Sequence, residues 1–386
     1  MQKKKIVIIG PAFPYRGGNS LFITHLNDKL AEQFDVTILN YTLLYPSLLF
    51  PGTTQFDKSG ITFQPAASER IVNSISPFSW LKTAKRIKDI NPDLVVFDWW
   101  HPFFSFCHFS ISFLLRKKFR KKILFITENF ISHEGHLIDR LLTKIGLANA
   151  SSFLSLSEKV EKDLADVSNT RKVYRSELPV YDCYDLPAST AKKSISQKKD
   201  FSFSEDDFVL LFFGYIRKYK GLDILIKAMP LLIKKIPHIK LLVVGESYDE
   251  FSFYEKLVSE LHLTSYIKME NRFVANEEVG KYYSVCDLVI LPYRSATQSG
   301  ILNVAYGFGK PVLVTNVGGL AEFVDDKKTG IIVEPESPAA IADGIMEFHS
   351  LQKTVTFSKN IEERISHNQF SSIAQLFDKI ISDASL

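Results

Sequence analysis

The sequence predicts an α/β protein made of two Rossmann-like domains. Short apolar runs rich in Val, Ile and Leu alternate with longer amphipathic stretches along nearly the whole chain, a pattern typical of parallel strands covered by helices. The 386 residues exceed what a single hydrophobic core usually serves, and a polar Ser- and Lys-rich stretch near the middle marks a boundary. We therefore expect a first domain at 1–180, a linker at 181–205, a second domain at 206–366 and a final segment at 367–386.

Composition and charge exclude several classes of protein. The net charge of +4 is too small to indicate nucleic-acid binding. Three widely spaced cysteines, Cys107, Cys183 and Cys286, lack the paired spacing of a zinc site and favour a reducing compartment. The N-terminal run before Gly10 is shorter than the about 7–15 apolar residues of a signal peptide, and no run reaches the ~20 apolar residues of a membrane span. We expect a cytoplasmic protein that binds neither nucleic acid nor zinc.

The first half of the chain is expected to alternate between strands and helices. Apolar runs predict strands at 5–9, 36–39, 61–64, 94–97, 123–126 and 153–156. Amphipathic or capped stretches predict helices at about 20–33, 79–90, 103–115, 137–147 and 157–166. Gly17 and Gly18 precede the first helix, where unpaired N–H groups can hold an anion. Because the G-x-G-x-x-G spacing is absent, there is no dinucleotide fingerprint, and simple helix-start chemistry stays an equal alternative.

The second half repeats this alternation. Apolar runs predict strands at 209–213, 240–244, 267–269, 288–291, 311–314 and 330–333. Helices are expected from Gly221 onwards and at 251–261, 276–284 and 301–308. Another helix is expected to open after Gly319, with Glu322 in its first turn, and the chain after residue 333 is expected to be helical to its end.

The stretch 288–324 indicates a ligand site. Its loops 292–299 and 316–319 follow two neighbouring strands, so both are expected at the carboxyl edge of one sheet, where open α/β sheets bind ligands. Each loop leads into a helix N-terminus whose unpaired N–H groups suit an anion such as a diphosphate. Turn glycines without a ligand are the alternative interpretation of the same residues.

A further loop, after the predicted strand 209–213, contains Gly214, Arg217 and Lys220. Cations at a helix N-terminus oppose the helix dipole, so a purely structural reason for both of them is unattractive. A bound diphosphate would reverse that penalty and accept charge-assisted hydrogen bonds from both side chains. These two cations are the most specific candidate site in the sequence.

Two segments resemble retaining glycosyltransferases of family four. Lys220 and Gly221 fall at the end of that family's G-R-x-x-x-x-K-G loop. Its E-A-x-A-x-G-x-P-V and G-G-x-x-E motifs are matched by Ala305, Gly309, Pro311, Val312, Gly318, Gly319 and Glu322. The resemblance covers most of the second half and, more loosely, the first. It implies a GT-B fold, in which two Rossmann-like domains face each other across a cleft and the last helix, here 367–386, returns to the first domain.

The sequence departs from this family at the donor site. The family's two Glu residues, which contact the donor sugar and the nucleotide ribose, fall on Ala296 and Val304. Tyr215 stands where the family has the Arg of its phosphate loop, and Arg217 follows two residues later. The polar groups left to replace the two carboxylates are Gln298, Ser299 and Asn303.

The resemblance implies that a sugar passes from a nucleoside-diphosphate donor to an acceptor hydroxyl with retention of configuration. Arg217 and Lys220 would act as catalytic residues, because they would stabilise the departing diphosphate together with N–H groups at a helix start. The donor-binding residues implied in this way are Gly17, Gly18, Gly214, Gln298, Ser299, Gly300, Ile301, Asn303 and Glu322. The departing phosphate would take the acceptor proton, so the scheme needs no metal and no cofactor besides the nucleotide sugar itself.

An acceptor site is expected beside the predicted strand 94–97. Trp99, Trp100 and His101 follow it closely. Aromatic faces stack on sugar rings, but the same residues also suit core packing under a helix. Both interpretations stay open on the sequence.

A second candidate lies in the loop after the predicted strand 123–126. His133 and Glu134 offer a hydrogen-bond donor and an acceptor, both of which sugar hydroxyls need. In the resembled family a His of this loop contacts the donor sugar or the reacting centre. His133 is therefore a third candidate catalytic residue, and Glu134 a weaker candidate for the acceptor.

Residues 103–122 join an apolar, Phe-rich helix to six cations between Arg116 and Lys122. The segment is too short to span a bilayer. It is either a buried helix with a solvated basic end or a peripheral contact with the inner membrane surface. Relatives in the resembled family act on glycan or lipid-linked acceptors, which favours synthesis of a cell-surface polysaccharide or lipopolysaccharide.

Two other functions stay open. A non-hydrolysing nucleotide-sugar epimerase would use the same two-domain cleft, but it would need acid and base carboxylates that the segment 288–321 lacks. A non-catalytic sugar or nucleotide binder would explain the loss of both Glu positions. Retention of Arg217 and Lys220 argues against such a binder, since an inactive cleft has little need for them.

Overall fold

The computed structural model describes residues 3–50, 52, 54–59, 68–130, 137–168, 170–181 and 198–385. The chain forms two compact units. The first contains residues 1–58, 62–179 and 368–386, and the second contains residues 59–61 and 180–367. Each unit holds its own parallel sheet with covering helices, so the predicted α/β class with two Rossmann-like domains is confirmed.

The first unit is built on a seven-stranded parallel sheet. Its strands are β1 (Lys5–Ile9), β2 (Asp35–Leu43), β3 (Ser68–Asn73), β4 (Leu94–Trp99), β5 (Ile123–Thr127), β6 (Ser152–Ser155) and β7 (Lys172–Arg175). They lie in the order β3-β2-β1-β4-β5-β6-β7. The order reverses between β1 and β4, which is the switch point of a doubly wound sheet.

Five helices cover this sheet within the first part of the chain. They are α1 (Gly18–Ala31), α2 (Pro77–Ile90), α3 (Ser105–Leu115), α4 (Leu137–Gly146) and α5 (Glu158–Ser168). Helix α3 packs between α2 and α4. Alternate residues of the central strands pack on this helix layer, as Val7 and Ile9 do with Cys107 and Ile111 of α3. Because helices cover both faces of a parallel sheet, its strands are apolar on both sides, and Ile6, like Val7 and Ile9, is fully buried.

The second unit is built on a six-stranded parallel sheet. Its strands are β8 (Phe208–Phe213), β9 (Ile239–Val244), β10 (Ile267–Glu270), β11 (Leu288–Leu291), β12 (Val312–Thr315) and β13 (Gly330–Val333). They lie in the order β10-β9-β8-β11-β12-β13, with the switch point between β8 and β11. The parallel pairing of β11 with β12 brings their carboxyl ends to one edge, as the sequence predicts.

The helices of the second unit are α6 (Leu222–Ile233), α7 (Phe251–Glu260), α8 (Asn276–Val285), α9 (Gly300–Gly307), α10 (Pro338–Leu351) and α11 (Phe357–Ile365). The last helix, α12 (Phe370–Ser385), belongs to the first unit. It packs on α1, where the Phe370 ring lies 5.8 Å from the Phe22 ring. The Lys172 ammonium lies 2.5 Å from the Asp383 carboxylate and ties the same helix to β7.

The sequence analysis missed two edge strands. β3 reads SERIVN and β7 reads KVYR, so neither forms the apolar run by which buried strands are recognised. Edge strands need fewer apolar residues, because one side of an edge strand has no neighbouring strand. The predicted strand 61–64 lies outside the described residues.

Two other expectations differ from the structure. The helix expected after Gly319 is a single 3-10 turn, Ala321–Phe323. A tight turn follows at once, in which the Asp325 N–H donates to the Thr329 hydroxyl at 2.9 Å, so too few residues remain for an α-helix before β13. Residues 198–205, expected in a linker, are folded into the second unit, with Phe201 only 2% exposed.

None of the described helices combines the length and the apolar character needed to cross a bilayer.

Candidate functional site

The carboxyl ends of β8 and β11 lie side by side at the switch point of the second sheet. The β8–α6 loop, residues 214–221, and the β11–α9 loop, residues 292–299, both leave the sheet here. Ligands of open α/β sheets bind at such a point, because the chains diverge there and leave a crevice. Two of the loops that the sequence singles out therefore meet at the expected edge.

Two glycines allow the β8–α6 loop to lie close to its neighbours. Gly214 has a φ of 99°, and a Cβ there would lie 2.9 Å from the Ile301 side chain and 3.5 Å from the Lys220 ammonium. Gly221 has a φ of 70°, and a Cβ there would lie 2.0 Å from the Pro292 carbonyl oxygen. Only glycine fits both the positive φ and the close approach. The Lys220 ammonium and the Ile301 side chain of α9 can therefore both lie close to Gly214.

Lys220 is the only Lys or Arg that is buried among the described residues. Its side chain is buried, with 7% of the residue exposed, and the ammonium lies 5.6 Å from the centre of the Tyr293 ring. Burial, with a smaller contribution from the charge of Arg217, lowers the pKa of Lys220 to about 7. Among the described residues no carboxylate lies within ion-pair distance of Lys220 or Arg217. Two neighbouring cations without an acid between them form a site for an anion.

Arg217 lies at the start of the 3-10 turn Lys218–Lys220. Its guanidinium carbon lies 4.8 Å from the centre of the Tyr248 ring, a cation–π distance. The Tyr248 ring in turn stacks on Tyr215 at 4.8 Å. Tyr215, which replaces the Arg of the resembled family, therefore supports the aromatic ring beneath Arg217.

Arg294 organises the β8–α6 loop and was not found by sequence reasoning. Its backbone N–H donates to the Tyr219 carbonyl at 2.6 Å, and its guanidinium donates to the Lys218 carbonyl at 2.6 Å. The same guanidinium donates two hydrogen bonds to the Asp223 carboxylate, and this contact raises the pKa of Arg294. No local pattern reveals the pair, because 71 residues separate its members.

The N-terminus of α9 completes this edge. Ser299 precedes the helix, is 8% exposed, and its hydroxyl does not cap the helix N–H groups. Instead it lies 3.3 Å from the Tyr293 hydroxyl. The first N–H groups of a helix have no partner within the helix, so those of Gly300 and Ile301 remain for an anion in the crevice.

The two positions that carry Glu in the resembled family are apolar and buried here. Ala296 is 4% and Val304 is 6% exposed. The Ala296 carbonyl accepts a hydrogen bond from the Gly319 N–H at 3.1 Å. A Cβ on Gly318, whose φ is 52°, would lie 1.8 Å from that carbonyl oxygen. The loops after β11 and β12 are thus joined through backbone at Ala296, where the family places a carboxylate.

Three of the predicted polar groups lie on these loops or on α9. Gln298 is half-buried, and its side-chain oxygen accepts no hydrogen bond from the described residues. Asn303 is 3% exposed within α9. Glu322 is half-buried in the 3-10 turn after Gly319. The structure therefore places polar groups, but no carboxylate, on the β11–α9 loop and the first turn of α9.

The predicted glycine pair of the first unit lies at the start of α1. Gly17 precedes α1 with a φ of 108°, and a Cβ on Gly18 would meet no atom within 4 Å. His133 and Glu134 lie outside the described residues.

One residue of the predicted aromatic platform, Trp99, lies in the core, whereas Trp100 and His101 are half-buried. β4 continues to Trp99, whose ring is fully buried in the core and offers no face to a sugar. Trp100 packs on Phe104 at 4.2 Å, and its indole N–H donates to the Tyr45 hydroxyl. The His101 ring accepts a hydrogen bond from the Phe103 N–H and so caps the 3-10 turn Pro102–Phe104. Core packing and capping explain these three residues.

A buried carboxyl pair at the switch point of the first sheet was also missed. Asp98 is the residue before the last in β4 and is fully buried, and Glu128 directly follows β5 and is 8% exposed. Burial, and then the neighbouring Glu128, raises the pKa of Asp98 well above its usual range. Burial is the largest cause that raises the pKa of Glu128 to about 7. Burial therefore favours the protonated form of Asp98, since a buried carboxylate beside a second carboxyl group is disfavoured.

Two parallel α/β sheets, each in its own Rossmann-like unit, are the architecture of the GT-B fold. Residues 194–365, which include both switch-point loops, match the family model described as Glycosyl transferases group 1. This segment, somewhat less than half of the chain, is similar to that family.

Curated relatives are similar to about half of the chain. An uncharacterized glycosyltransferase of Methanocaldococcus jannaschii is 27% identical over 196 residues, which cover 50% of this chain and 49% of the relative. The lipopolysaccharide 1,2-N-acetylglucosaminetransferase of Salmonella typhimurium is 30% identical over 200 residues, which cover 47% of this chain and 52% of the relative. The chain thus spans about half the length of these two relatives.

Solved structures extend the similarity to the whole fold. Sucrose-phosphate synthase from Thermosynechococcus elongatus superimposes with a TM-score of 0.75 at 19% identity, covering 98% of this chain and 100% of the other. Anabaena HepE in complex with UDP-glucose superimposes with a TM-score of 0.73 at 18% identity, covering 99% and 100%. At these identities the likeness establishes the fold alone.

Proposed function

We propose that this protein transfers a hexose from a nucleoside-diphosphate sugar to an acceptor hydroxyl with retention of configuration. The observation that carries the proposal is Lys220. It is buried beside Arg217, has no carboxylate partner among the described residues, and approaches the start of α9 around Gly214. A buried ammonium without a counter-ion is destabilising, so this arrangement is understandable when a diphosphate completes it.

The geometry suggests how the diphosphate is held. The Lys220 ammonium and the Arg217 guanidinium would donate charge-assisted hydrogen bonds to its oxygens. The N–H groups of Gly300 and Ile301 would add the positive end of the α9 dipole. A diphosphate would also favour the charged form of Lys220, which burial disfavours in the ligand-free protein.

The same groups would promote the reaction. Negative charge develops on the diphosphate as the bond to the sugar breaks. Preorganised cations and N–H groups would therefore stabilise the transition state more than the ground state. The leaving diphosphate oxygen would accept the proton of the acceptor hydroxyl, so the scheme assigns no protein base. His133, Glu134 and Glu322 stay proposed contacts of the sugars in this scheme.

The comparisons support a choice of donor to test first. HepE was crystallised with UDP-glucose, and the Salmonella relative is named for transfer of N-acetylglucosamine to lipopolysaccharide. We therefore propose a UDP-sugar donor and a glycan or lipid-linked acceptor in the synthesis of a cell-surface polysaccharide. The proposal places the reaction in the cytoplasm, with residues 103–122 near the inner membrane surface.

A thermal-shift screen against UDP-, GDP-, dTDP-, ADP- and CDP-sugars tests the proposal. A donor at ~100 times its Kd should stabilise the folded protein by about 2.7 kcal/mol. The double variant Arg217→Ala/Lys220→Ala should lose that stabilisation and the transfer of sugar to an acceptor. Lys218→Ala is the matched control, because Lys218 is an exposed cation of the same turn.

The outcomes separate the alternatives. Transfer or slow hydrolysis of the donor supports a glycosyltransferase, whereas a changed sugar without an acceptor would identify an epimerase. Donor binding without any turnover would identify a non-catalytic binder. The apolar Ala296 and Val304, at the positions of the resembled family's two Glu residues, would then explain the lack of turnover. Undiminished transfer by the double variant would refute the assigned roles of Arg217 and Lys220.

A further inference from the structure

We propose that the outer face of α2, α3 and α4 docks on an anionic lipid bilayer. This α2–α3–α4 face comprises the outward residues of 77–90, 105–122 and 137–146. It extends the contact expected for 103–122 to three helices of one unit. It does not depend on the sugar chemistry of the second unit, so the two proposals are tested separately.

The three helices form one continuous layer. α3 packs against α2 on one side and α4 on the other. Their inner sides are buried, as for Ala84 and Ile87 of α2, Ile111 of α3 and Thr143 of α4. The side chains that point away from the core therefore lie next to one another on one surface of the first unit.

This surface exposes large apolar side chains at an unusual density. Six lie on the three helices, namely Phe78 (85% exposed), Leu81 (55%), Phe106 (60%), Phe113 (40%), Ile138 (64%) and Leu141 (58%). In the second unit, over its described residues, only Leu231 and Phe253 are comparable. Single exposed apolar residues need no explanation, but such a group on adjacent helices indicates an interaction surface.

The same three segments concentrate positive charge. They contain twelve Lys and Arg residues and two Asp residues, a net charge of +10, whereas the whole chain carries +4. Ion pairs with carboxylates engage three of these cations, Arg86, Arg140 and Lys122. The Arg116 guanidinium covers the Phe113 ring at 3.6 Å, so a cation and an apolar ring emerge together at the end of α3.

This combination favours a lipid surface over a protein. Exposed Phe and Leu side chains can enter the headgroup region while Lys and Arg meet anionic lipids. A second copy of the chain would oppose this face with an equal positive charge, which disfavours self-association. α3 has 11 residues, about 16 Å at 1.5 Å per residue, and so lies on a bilayer rather than across it.

Sedimentation of the full chain with lipid vesicles tests the proposal. Binding is expected to vesicles of equimolar phosphatidylglycerol and phosphatidylcholine, and to weaken with added salt. Vesicles of phosphatidylcholine alone should bind at least about tenfold more weakly. Lys117→Glu/Lys121→Glu should weaken binding to the anionic vesicles at least about tenfold, since each cation near the surface contributes.

An apolar variant and a matched control sharpen the test. Phe78→Ser/Phe106→Ser should also reduce binding, because both rings lie on the surface and their loss leaves the core intact. Phe253→Ser/Lys256→Glu makes the same kinds of change on α7 of the second unit and should leave binding unchanged. Circular dichroism checks that each variant is folded.

Three results would overturn the proposal. The first is no binding to the anionic vesicles, and the second is equal binding by the wild type and both face variants. The third is a dimer, detected by light scattering, that dissociates in these variants. None of the face variants should alter the thermal shift caused by a nucleotide sugar. Conversely, Arg217→Ala/Lys220→Ala should bind vesicles normally, so failure of one proposal is distinguishable from failure of the other.

Discussion

The guanidinium of Arg294 donates two parallel hydrogen bonds to the carboxylate of Asp223, at 2.9 and 2.8 Å. Arg294 lies in the loop after β11, and Asp223 lies in the first turn of α6. Their contact joins the two loops of the switch point across the crevice. It holds the turn that contains Lys220 against the strand that leads to α9.

Loss of this contact should loosen the site more than the fold. We expect Arg294→Ala to lower the free energy of unfolding by about 1–3 kcal/mol and to weaken donor binding. Arg294→Lys keeps the charge but not the paired geometry, so it should fall between the wild type and Arg294→Ala. Urea unfolding and donor titration measure the two effects. Unchanged donor affinity in Arg294→Ala would show that the loop needs no such support.

Donor binding should depend on pH through Lys220. Because the pKa of Lys220 is about 7, the ammonium is only partly charged at neutral pH. A diphosphate favours its charged form, so donor affinity should rise as the pH falls from about 8 to 6, with uptake of a proton. Calorimetric titration in buffers of different ionisation enthalpy measures that uptake. Lys220→Met should abolish it, and a proton uptake that persists in this variant would contradict the assignment.

The same lysine should reduce the stability of the ligand-free protein. Its pKa is lowered in the folded state, so the unfolded state binds more protons between about pH 7 and 10.5. The free energy of unfolding should therefore rise with pH across that range, and the penalty should be fully present below pH 7. We expect Lys220→Met to stabilise the ligand-free protein by a few kcal/mol at neutral pH. Lys218→Met, at an exposed position, should have little effect.

The carboxyl pair of Asp98 and Glu128 should give the opposite slope. The pKa of Glu128 rises from 4.5 to about 7 on folding, so the folded state binds more protons over that interval. The free energy of unfolding should fall as the pH rises from 4.5 to 7. Glu128→Gln should remove the part of this slope that Glu128 contributes in urea unfolding and leave the part that Asp98 contributes. Glu260→Gln at an exposed position of α7 should leave the whole slope unchanged. An unchanged slope in Glu128→Gln would contradict the raised pKa of Glu128.

Two glycines provide a test of backbone geometry. Gly221→Ala should destabilise the protein by more than about 1–3 kcal/mol, because it combines a φ of 70° with a clash against the Pro292 carbonyl. Gly18→Ala adds a methyl group into open space at the start of α1. It should be neutral or stabilise by about 0.5–1 kcal/mol. Thermal unfolding of both variants decides this. If Gly18→Ala weakens donor binding without loss of stability, the proposed place of Gly18 beside the phosphates gains support.

The fold was predictable from the sequence because its central strands are buried on both faces. β1, β4, β8 and β11 form apolar runs whose bounds differ from the prediction by at most two residues. β3 and β7 were missed because edge strands carry polar residues. The prediction of a helix after Gly319 was wrong, because the turn that leads into β13 begins before a first α-helical turn is complete.

The candidate site was predictable where a single loop contains the residues that would bind the ligand. Gly214, Arg217 and Lys220 lie within seven residues, and cations at a helix start are informative by themselves. Trp99 shows the opposite case, since its burial depends on a strand that continues two residues further than the apolar run. The same sequence would suit an exposed ring if β4 ended at Phe97.

The two α/β sheets, their carboxyl edges and the cations of the β8–α6 loop are predictable from local patterns of burial and charge. Long-range packing determines which loops meet, as for Arg294 with Asp223, and which carboxyl groups are buried together, as for Asp98 with Glu128. It also determines that the outer sides of α2, α3 and α4 form one surface. The physical reason is that these contacts join residues far apart in the chain, and their spacing leaves no periodic trace in the sequence.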